Sequence, residues 1–231
     1  MLRRLLPACF LAGFVLVAVA QQPAAQPPAA STRPPLFFRE EWTHSGIPQH
    51  PISQESVSNP NLLLHTYGDP ARPDPDYGGI FENQRPQTAD DPAHTFSGTC
   101  RTPCALSLKH KTAYVDLGGF GRIRWMTMEQ GFALLRPVIR LANGTWLIGD
   151  HAESYTGDWH IGEFQPSTLR WRRFDAEKVV VGGDGNWIDR PDLSRVDEIG
   201  FTDLMPGSGH NQGQWSDVAW IEVYGKSVPR Q

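Results

Sequence analysis

The sequence contains little cysteine: three residues in a chain of 231. One of them, Cys9, lies in an apolar N-terminal segment, which leaves Cys100 and Cys104. Two cysteines without companion Cys or His residues at ligand spacing do not fill a tetrahedral zinc site. In an exported chain an even pair predicts a disulfide, which here closes the short loop between the two residues.

Runs of Lys or Arg are absent, and the formal net charge is −4. Nucleic acids and anionic membranes require a basic surface that displaces counterions, so this composition argues against both as partners. The motifs of a nucleophile elbow, a nucleotide-phosphate loop and a zinc-protease helix are absent as well. Ser208 lies near His210 in the sequence, but in a predicted strand-to-strand loop, which is a poor context for a catalytic serine.

No window shows a long helical stripe of apolar residues, so we expect few helices. From Ala105 onward, short apolar runs recur about every 10 to 15 residues, separated by Gly, Pro, Asn and Asp. Residues 36–95 are less regular, with one predicted strand at Leu62–Tyr67. This pattern predicts an all-β fold, a jelly-roll β-sandwich with long loops and few helices.

The N-terminus has the order of a cleavable secretory signal. Arg3 and Arg4 precede an apolar run, residues 5–19, which ends in Ala18-Val19-Ala20. We therefore predict a signal peptide over residues 1–20 and a secreted or periplasmic protein; the alternative is an uncleaved anchor. Cleavage leaves 19 basic and 25 acidic residues, a net charge of −6, and no segment that would insert in a membrane.

Behind the signal, residues 21–35 are rich in Pro, Ala and Gln and predict an extended linker. The folded domain is predicted over residues 36–226 and a C-terminal tail over residues 227–231.

The strongest local signal is Asn143-Gly144 between two strand-like runs, which predicts a hairpin with a two-residue turn. Such a turn pairs Leu141 with Trp146 and Ile139 with Ile148. Since side chains alternate along a strand, those four are expected on a core face, and the residues expected on the opposite, polar face are Arg136, Val138, Arg140, Leu147 and His151.

Aromatic residues are frequent, with eight Trp and five Tyr. Flat aromatic rings stack on the apolar face of a sugar, and Arg, Asp and Asn bind its hydroxyl groups. Four tryptophans lie within predicted strands and are expected in the core: Trp125, Trp146, Trp171 and Trp220. Trp159, Trp187 and Trp215 lie beside Gly or Asp in predicted loops, and each is either a sugar-stacking residue or a plug at the end of the core.

The predicted carbohydrate-binding residues are Arg136, Arg140, His151, Asp150, Trp159, His160 and Trp215. A solvated outer face is the alternative for the Arg and His group. With Tyr155, the same group could deprotonate a uronic acid in a polysaccharide lyase. A glycosidase needs two carboxylates at a defined separation, and no spacing in this sequence singles out a pair.

Two parts of the sequence resemble the galactose-binding-like superfamily, which includes discoidin-type domains and bacterial carbohydrate-binding modules. They are residues 196–203 with the closing strand 216–225, and Tyr114-Val-Asp-Leu117 followed by Ile123-Arg-Trp125. The resemblance implies an eight-stranded jelly roll, glycan binding by loops or a concave face, and often a structural calcium. The resemblance places Glu222 at the position of a calcium ligand on the last strand. The longer, irregular N-terminal half departs from a compact binding module.

These observations favour an exported, non-catalytic carbohydrate-binding protein. Two alternatives remain open: a polysaccharide-degrading enzyme, lyase or hydrolase, and an envelope domain with a protein partner.

Overall fold

The computed structural model describes residues 33–47, 50–68, 79–82, 88, 90–97, 100, 102–182, 186–204 and 214–230. The chain divides into residues 1–31 and residues 32–231. The predicted signal peptide and most of the predicted linker lie outside the described residues. The strands, in chain order, are β1 (Leu36–Glu40), β2 (Leu62–Gly68), β3 (Phe81–Glu82), β4 (Thr95–Ser97), β5 (Cys104–His110), β6 (Ala113–Asp116), β7 (Arg122–Gln130), β8 (Leu135–Leu141), β9 (Trp146–Gly149), β10 (His160–Phe164), β11 (Trp171–Asp175), β12 (Val180–Val181), β13 (Trp187–Ile188), β14 (Val196–Asp203), β15 (Trp215–Tyr224) and β16 (Lys226–Pro229).

The strands form two antiparallel sheets. The small sheet has the order β10-β7-β15-β4-β3, with β1 also paired to β15. The large sheet has the order β12-β11-β9-β8-β14-β5-β2, with β13 beside β11, and β6 paired to both β14 and β16. The helical residues in the described part of the chain form two short 3-10 turns, Gln54–Ser56 and Pro166–Thr168. The structure therefore confirms the predicted all-β jelly-roll sandwich.

In the part of the chain that the structure describes, no helix has the length and apolarity needed to cross a membrane. Residues 227–229, predicted as tail, continue the large sheet as part of β16.

The main core lies between the inner faces of the two sheets. Along β7 buried residues alternate with more exposed ones, which places Ile123, Trp125, Thr127 and Glu129 on the inner face of the small sheet. The largest buried side chains of this core include Trp125, Trp171 and Phe201. Cys100 and Cys104 belong to it, and they form the predicted disulfide.

A second apolar cluster lies on the outer face of the large sheet. Val138 and Ile148 are buried there against Phe174, Val179 and Leu204. Half-buried Trp146 packs against the same cluster. The face predicted as a polar surface is therefore apolar and covered at its centre.

The hairpin forms where predicted, but its register differs by one residue. Val138 pairs with Ile148, Ile139 with Leu147, and Arg140 with Trp146. Trp146 and Ile148 therefore share a face with Arg140, and Leu147 belongs to the main core, the reverse of the prediction for β9.

The reason for the shift is the turn. A two-residue type I′ turn requires positive φ at both central residues. Here Gly144 has φ +87°, and Asn143 is not among the residues with positive φ. The side-chain oxygen of Asn143 instead accepts a hydrogen bond from Thr145 N, and Leu141 N donates to Thr145 O. The loop therefore has three residues, Ala142, Asn143 and Gly144.

Candidate functional site

The predicted binding residues are found in three separate places. Arg136 and Arg140 lie on the outer face of the large sheet. His151 and His160 lie between the sheets, and Trp159 and Trp215 lie on the outer face of the small sheet. The prediction that His151 joins the two arginines on one face is wrong, because the one-residue register shift places Asp150 opposite Arg136 and turns His151 inward.

On the large sheet, Arg140 is held by buried acids. Its Nη1 lies 2.9 Å from Glu198 Oε1 and 3.7 Å from Asp197 Oδ2. Both acids reach the outer face because β14 has a register irregularity between Val196 and Glu198. Arg140 is thus tied to internal carboxylates and is poorly placed to bind a ligand charge.

Arg136 is half-buried on the same face, and its Nε has no hydrogen-bond partner in the described residues. Burial, and then the nearby Arg172, lower the pKa of Arg136, and Asp150 opposes this shift. Asp150 also accepts a hydrogen bond from Arg170 N at 3.0 Å.

Between the sheets, Glu153 joins the two predicted histidines. His151 Nε2 lies 2.7 Å from Glu153 Oε1, and His160 Nε2 lies 3.0 Å from Glu153 Oε2. Trp125 Nε1 donates to Glu153 Oε1 at 2.9 Å. Burial raises the pKa of Glu153, but these three donors outweigh it and lower the pKa to about 2. Glu153 is therefore ionised at neutral pH.

A second acid, Glu129, faces His160 from the other side. Glu129 is fully buried, and no described residue hydrogen-bonds to its carboxylate oxygens. Its nearest base is His160 Nδ1, at 3.8 Å from Oε2. Burial raises the pKa of Glu129 to about 7, against the smaller opposing influence of Thr127 and His160.

The outer face of the small sheet carries a group of aromatic residues that we call the aromatic face: Phe96, Trp159, Trp215 and Trp220. All four are half-buried. Trp215 and Trp220 alternate with inward residues of β15, and the rings of Trp215 and Phe96 lie 6.2 Å apart. Trp159 directly precedes β10; since His160 points inward, Trp159 points outward, and its ring lies 5.2 Å from that of His94.

Asp217 lies among these rings, opposite Phe96 in the register. His94 Nε2 lies 3.6 Å from its carboxylate. Burial, followed by the charges of Asp91 and Glu129, raises the pKa of Asp217 well above its ordinary value.

A row of alternating charges crosses the same face beside the aromatic residues. Arg124 contacts Glu163 at 3.1 Å and Glu222 at 3.0 Å, and Arg39 also pairs with Glu222. Tyr224 donates a further hydrogen bond to Glu222 at 2.8 Å. The predicted role of Glu222 as a calcium ligand does not fit these contacts, because two guanidinium groups occupy the positions that a cation would take. Within the described residues, no group of three His, Cys, Asp or Glu is arranged to hold a metal ion.

A cleft opens at the edge of the aromatic face. β1 pairs with residues 221–224 of β15 and β4 pairs with residues 216–218, so Ala219 and Trp220 lie in the gap between them. The cleft has a volume of about 520 Å³, and its walls include Trp42, His44 and Trp220. Ligand pockets in proteins span roughly 300 to 1,000 Å³, so the cleft has the size of a small-molecule site.

Comparisons with known proteins give structural likenesses only. No family model matches the chain, and no curated protein matches it. Among solved structures, the family 11 carbohydrate-binding module of a cellulosomal cellulase of Clostridium thermocellum is 13% identical, with 79% of this chain and 97% of that chain covered and a TM-score of 0.39.

A structure of the family 11 module from Clostridium thermocellum in complex with a β-1,3-1,4-mixed-linked tetrasaccharide is 15% identical, covers 78% of this chain and 98% of that chain, and has a TM-score of 0.38. Arcelin-5, a lectin-like defense protein from Phaseolus vulgaris, is 8% identical, covers 82% of this chain and 97% of that chain, and has a TM-score of 0.36.

One of the tryptophans expected in the core, Trp220, faces outward, whereas Trp125 and Trp171 are fully buried as expected.

The sequence analysis did not identify the acidic residues Glu129, Glu198 and Asp217. The alternation of β7 could have indicated that Glu129 lies on the inner face with Trp125. No local pattern indicates the burial of Glu198 and Asp217, because their partners are distant in the sequence.

Proposed function

We propose that this protein binds a neutral polysaccharide through the aromatic face. The observation that supports this proposal is that three half-buried tryptophans, Trp159, Trp215 and Trp220, share one face of one sheet. Aromatic rings bind the apolar faces of sugar rings, and they are otherwise costly to leave in contact with water.

The charged row beside the rings supports a neutral ligand. Arg124 and Glu222 are both paired, so they offer hydrogen-bond donors and acceptors to hydroxyl groups without a surplus charge of either sign. An extended glycan fits an open sheet face of this kind better than a compact charged ligand does.

The proposal is tested by titration calorimetry of the protein with soluble neutral polysaccharides, mixed-linkage β-1,3-1,4-glucan among them. We expect Trp159→Ala and Trp215→Ala each to weaken binding by more than tenfold, because truncating a central aromatic contact costs about 2 kcal/mol. Trp187→Ala is the matched control. It removes a tryptophan that is 37% exposed on the large sheet, and it should leave binding unchanged.

Absence of binding to every neutral polysaccharide would remove the proposal. Equal losses of affinity in Trp159→Ala and Trp187→Ala would show that the polysaccharide does not bind at the aromatic face.

Two alternatives give distinct results in parallel assays. Release of reducing ends or of unsaturated uronates from a polysaccharide would indicate an enzyme, for which Glu129 and Glu153 on either side of His160 are the first residues to substitute. Recovery of one stoichiometric envelope protein, displaced by Trp159→Ala, would indicate a protein partner instead.

We also infer that the protein is exported. The order of charge, apolar run and small residues in positions 1–20 supports this. Cell fractionation with N-terminal sequencing should find a mature chain that begins near Gln21 outside the cytoplasm, and a full-length cytoplasmic chain would contradict it.

A further inference from the structure

A second cavity lies at the hairpin end of the large sheet, whereas the aromatic face belongs to the small sheet. We call it the hairpin pocket. It has a volume of about 580 Å³ and lies between the β8–β9 turn and residues 188–195. Its polar lining consists of Tyr114, Asn143, Thr145, Arg173, Asp192 and Arg195. The volume is large enough for a monosaccharide and exceeds what a simple inorganic anion fills.

The charge of the hairpin pocket is unbalanced. Arg173 and Arg195 are both exposed, and in the described part of the chain neither guanidinium has a carboxylate within ion-pair distance. The single acid of the lining, Asp192, accepts a hydrogen bond from Ser194 N at 3.0 Å. Two cations therefore face one cavity, and no acid among the described residues is paired with either.

The side chain of Arg195 is positioned by the ring of Tyr114. Its guanidinium lies 4.8 Å from the ring centroid of Tyr114, and Arg230 lies 4.2 Å from the same centroid. Arg230 pairs with Asp197, whereas Arg195 has no carboxylate partner within the part of the chain that the structure describes. Because a guanidinium over an aromatic ring loses little further freedom on binding, Arg195 is organised in advance for an anion.

The backbone of both arginines is fixed as well. Arg173 N donates to Asn186 O at 3.0 Å, and Arg173 O accepts from Gly182 N at 3.0 Å. Arg195 O accepts from Ala142 N at 2.9 Å, which joins it to the hairpin turn. The two guanidinium groups thus start from rigid positions on different elements.

We propose that the hairpin pocket binds a hexuronic acid, with Arg173 and Arg195 taking its carboxylate and Asn143 and Thr145 meeting its hydroxyl groups. Guanidinium groups bind carboxylates in paired hydrogen bonds that a lysine does not reproduce. The apolar part of the lining, Leu141 and Ile188, provides a surface for the ring carbons. This site does not depend on the aromatic face, and it has the opposite ligand preference, acidic instead of neutral.

The test is titration calorimetry of the unmodified chain and its variants with D-galacturonate, D-galactose and acetate. We expect galacturonate to bind, its affinity to fall with added sodium chloride, and galactose and acetate to bind at least tenfold more weakly. Arg173→Gln and Arg195→Gln should each weaken galacturonate binding by roughly tenfold or more. Lys226→Gln is the control, since it removes one exposed positive charge outside the pocket, and it should bind as the unmodified chain does.

Equal affinity for galactose and galacturonate, or retained binding in both arginine variants, would overturn the proposal. Acetate binding as tightly as galacturonate would overturn the sugar specificity and leave a plain anion site. Thermal unfolding of each variant shows that it is folded. Neutral polysaccharide binding should be weakened in Trp159→Ala and unchanged in the two arginine variants, so failure of the hairpin pocket is distinguishable from failure of the aromatic face.

Discussion

Arg140 and Glu198 face each other across β8 and β14, and the guanidinium donates to the fully buried carboxylate at 2.9 Å. The other carboxylate oxygen accepts from His65 at 2.9 Å, from Tyr67 at 2.9 Å and from Ser107 at 2.6 Å. Four donors on one buried acid tie β2, β5, β8 and β14 together on the outer face of the large sheet. The carboxylate stabilises the sheet, and this explains why Arg140 is unavailable to a ligand.

Glu198→Gln should lower the free energy of unfolding by about 2 to 4 kcal/mol, because a half-buried guanidinium and three further donors then face a neutral amide. Urea unfolding measures the loss. Glu163→Gln is the control, since the Glu163 side chain is 47% exposed and its pair with Arg124 contributes less than about 1 kcal/mol. Similar losses in the two variants would contradict the structural role of Glu198.

The protein should lose stability in acid through two carboxylates. Burial raises the pKa of Glu198, but hydrogen bonds from His65, Ser107 and Arg140 lower it to about 2. The pKa of Glu153 is likewise lowered to about 2 by its hydrogen bonds, against the effect of burial. A carboxyl whose pKa is lowered on folding stabilises the protein above its unfolded pKa and loses that contribution as the pH falls.

We therefore expect the free energy of unfolding to decrease between about pH 5 and pH 2, by roughly 3 kcal/mol for each of the two groups. Urea titrations at stepped pH values measure this slope. The slope should be shallower in Glu198→Gln, and an unchanged slope in that variant would show that other groups control acid unfolding.

Glu129 should have the opposite effect on the pH dependence of stability. Its pKa is raised to about 7, so the folded protein holds a proton that the unfolded chain releases above about pH 4.5. Stability is therefore expected to fall as the pH rises from about 4.5 to 7, by roughly 3 kcal/mol in total.

Glu129→Gln keeps the shape and removes the titration. At pH 8 it should be more stable than the unmodified chain, and the difference should vanish near pH 4. Glu177→Gln, at an exposed turn residue, should show neither effect. A Glu129→Gln variant that is less stable at every pH would mean that the ionised form is the native one.

The fold class and the disulfide could be predicted because both rest on local signals. Short apolar runs with turn residues between them define strands, and Cys100 and Cys104 are four residues apart. The register of the hairpin could not be predicted, because Asn-Gly is compatible with both two-residue and three-residue loops. The φ angle of Asn143, which the sequence does not specify, decides between them.

The polar network could not be predicted for a different reason. His65 and Glu198 are 133 residues apart, and Arg39 and Glu222 are 183 residues apart. These contacts depend on which strands become neighbours in the two sheets, and the order of short strands is not encoded in any single segment. The outward position of Trp159 and Trp215 could be predicted, because both lie outside the alternating apolar runs.

Gly162 lies in β10, directly against the carboxylate of Glu153. A Cβ atom at this position would lie 2.0 Å from Glu153 Oε1 and 2.8 Å from Trp125 Nε1. Gly162→Ala should therefore displace the carboxylate from Trp125 and His151 and lower the free energy of unfolding by about 2 to 3 kcal/mol. The same methyl group should cost less in a Glu153→Ala background, where its closest clash is gone and only the contact with Trp125 Nε1 remains. A double-mutant cycle by urea unfolding measures this coupling, which we expect to exceed about 1 kcal/mol. Additive effects would mean that the backbone of β10, and not the position of Glu153, limits the size of residue 162.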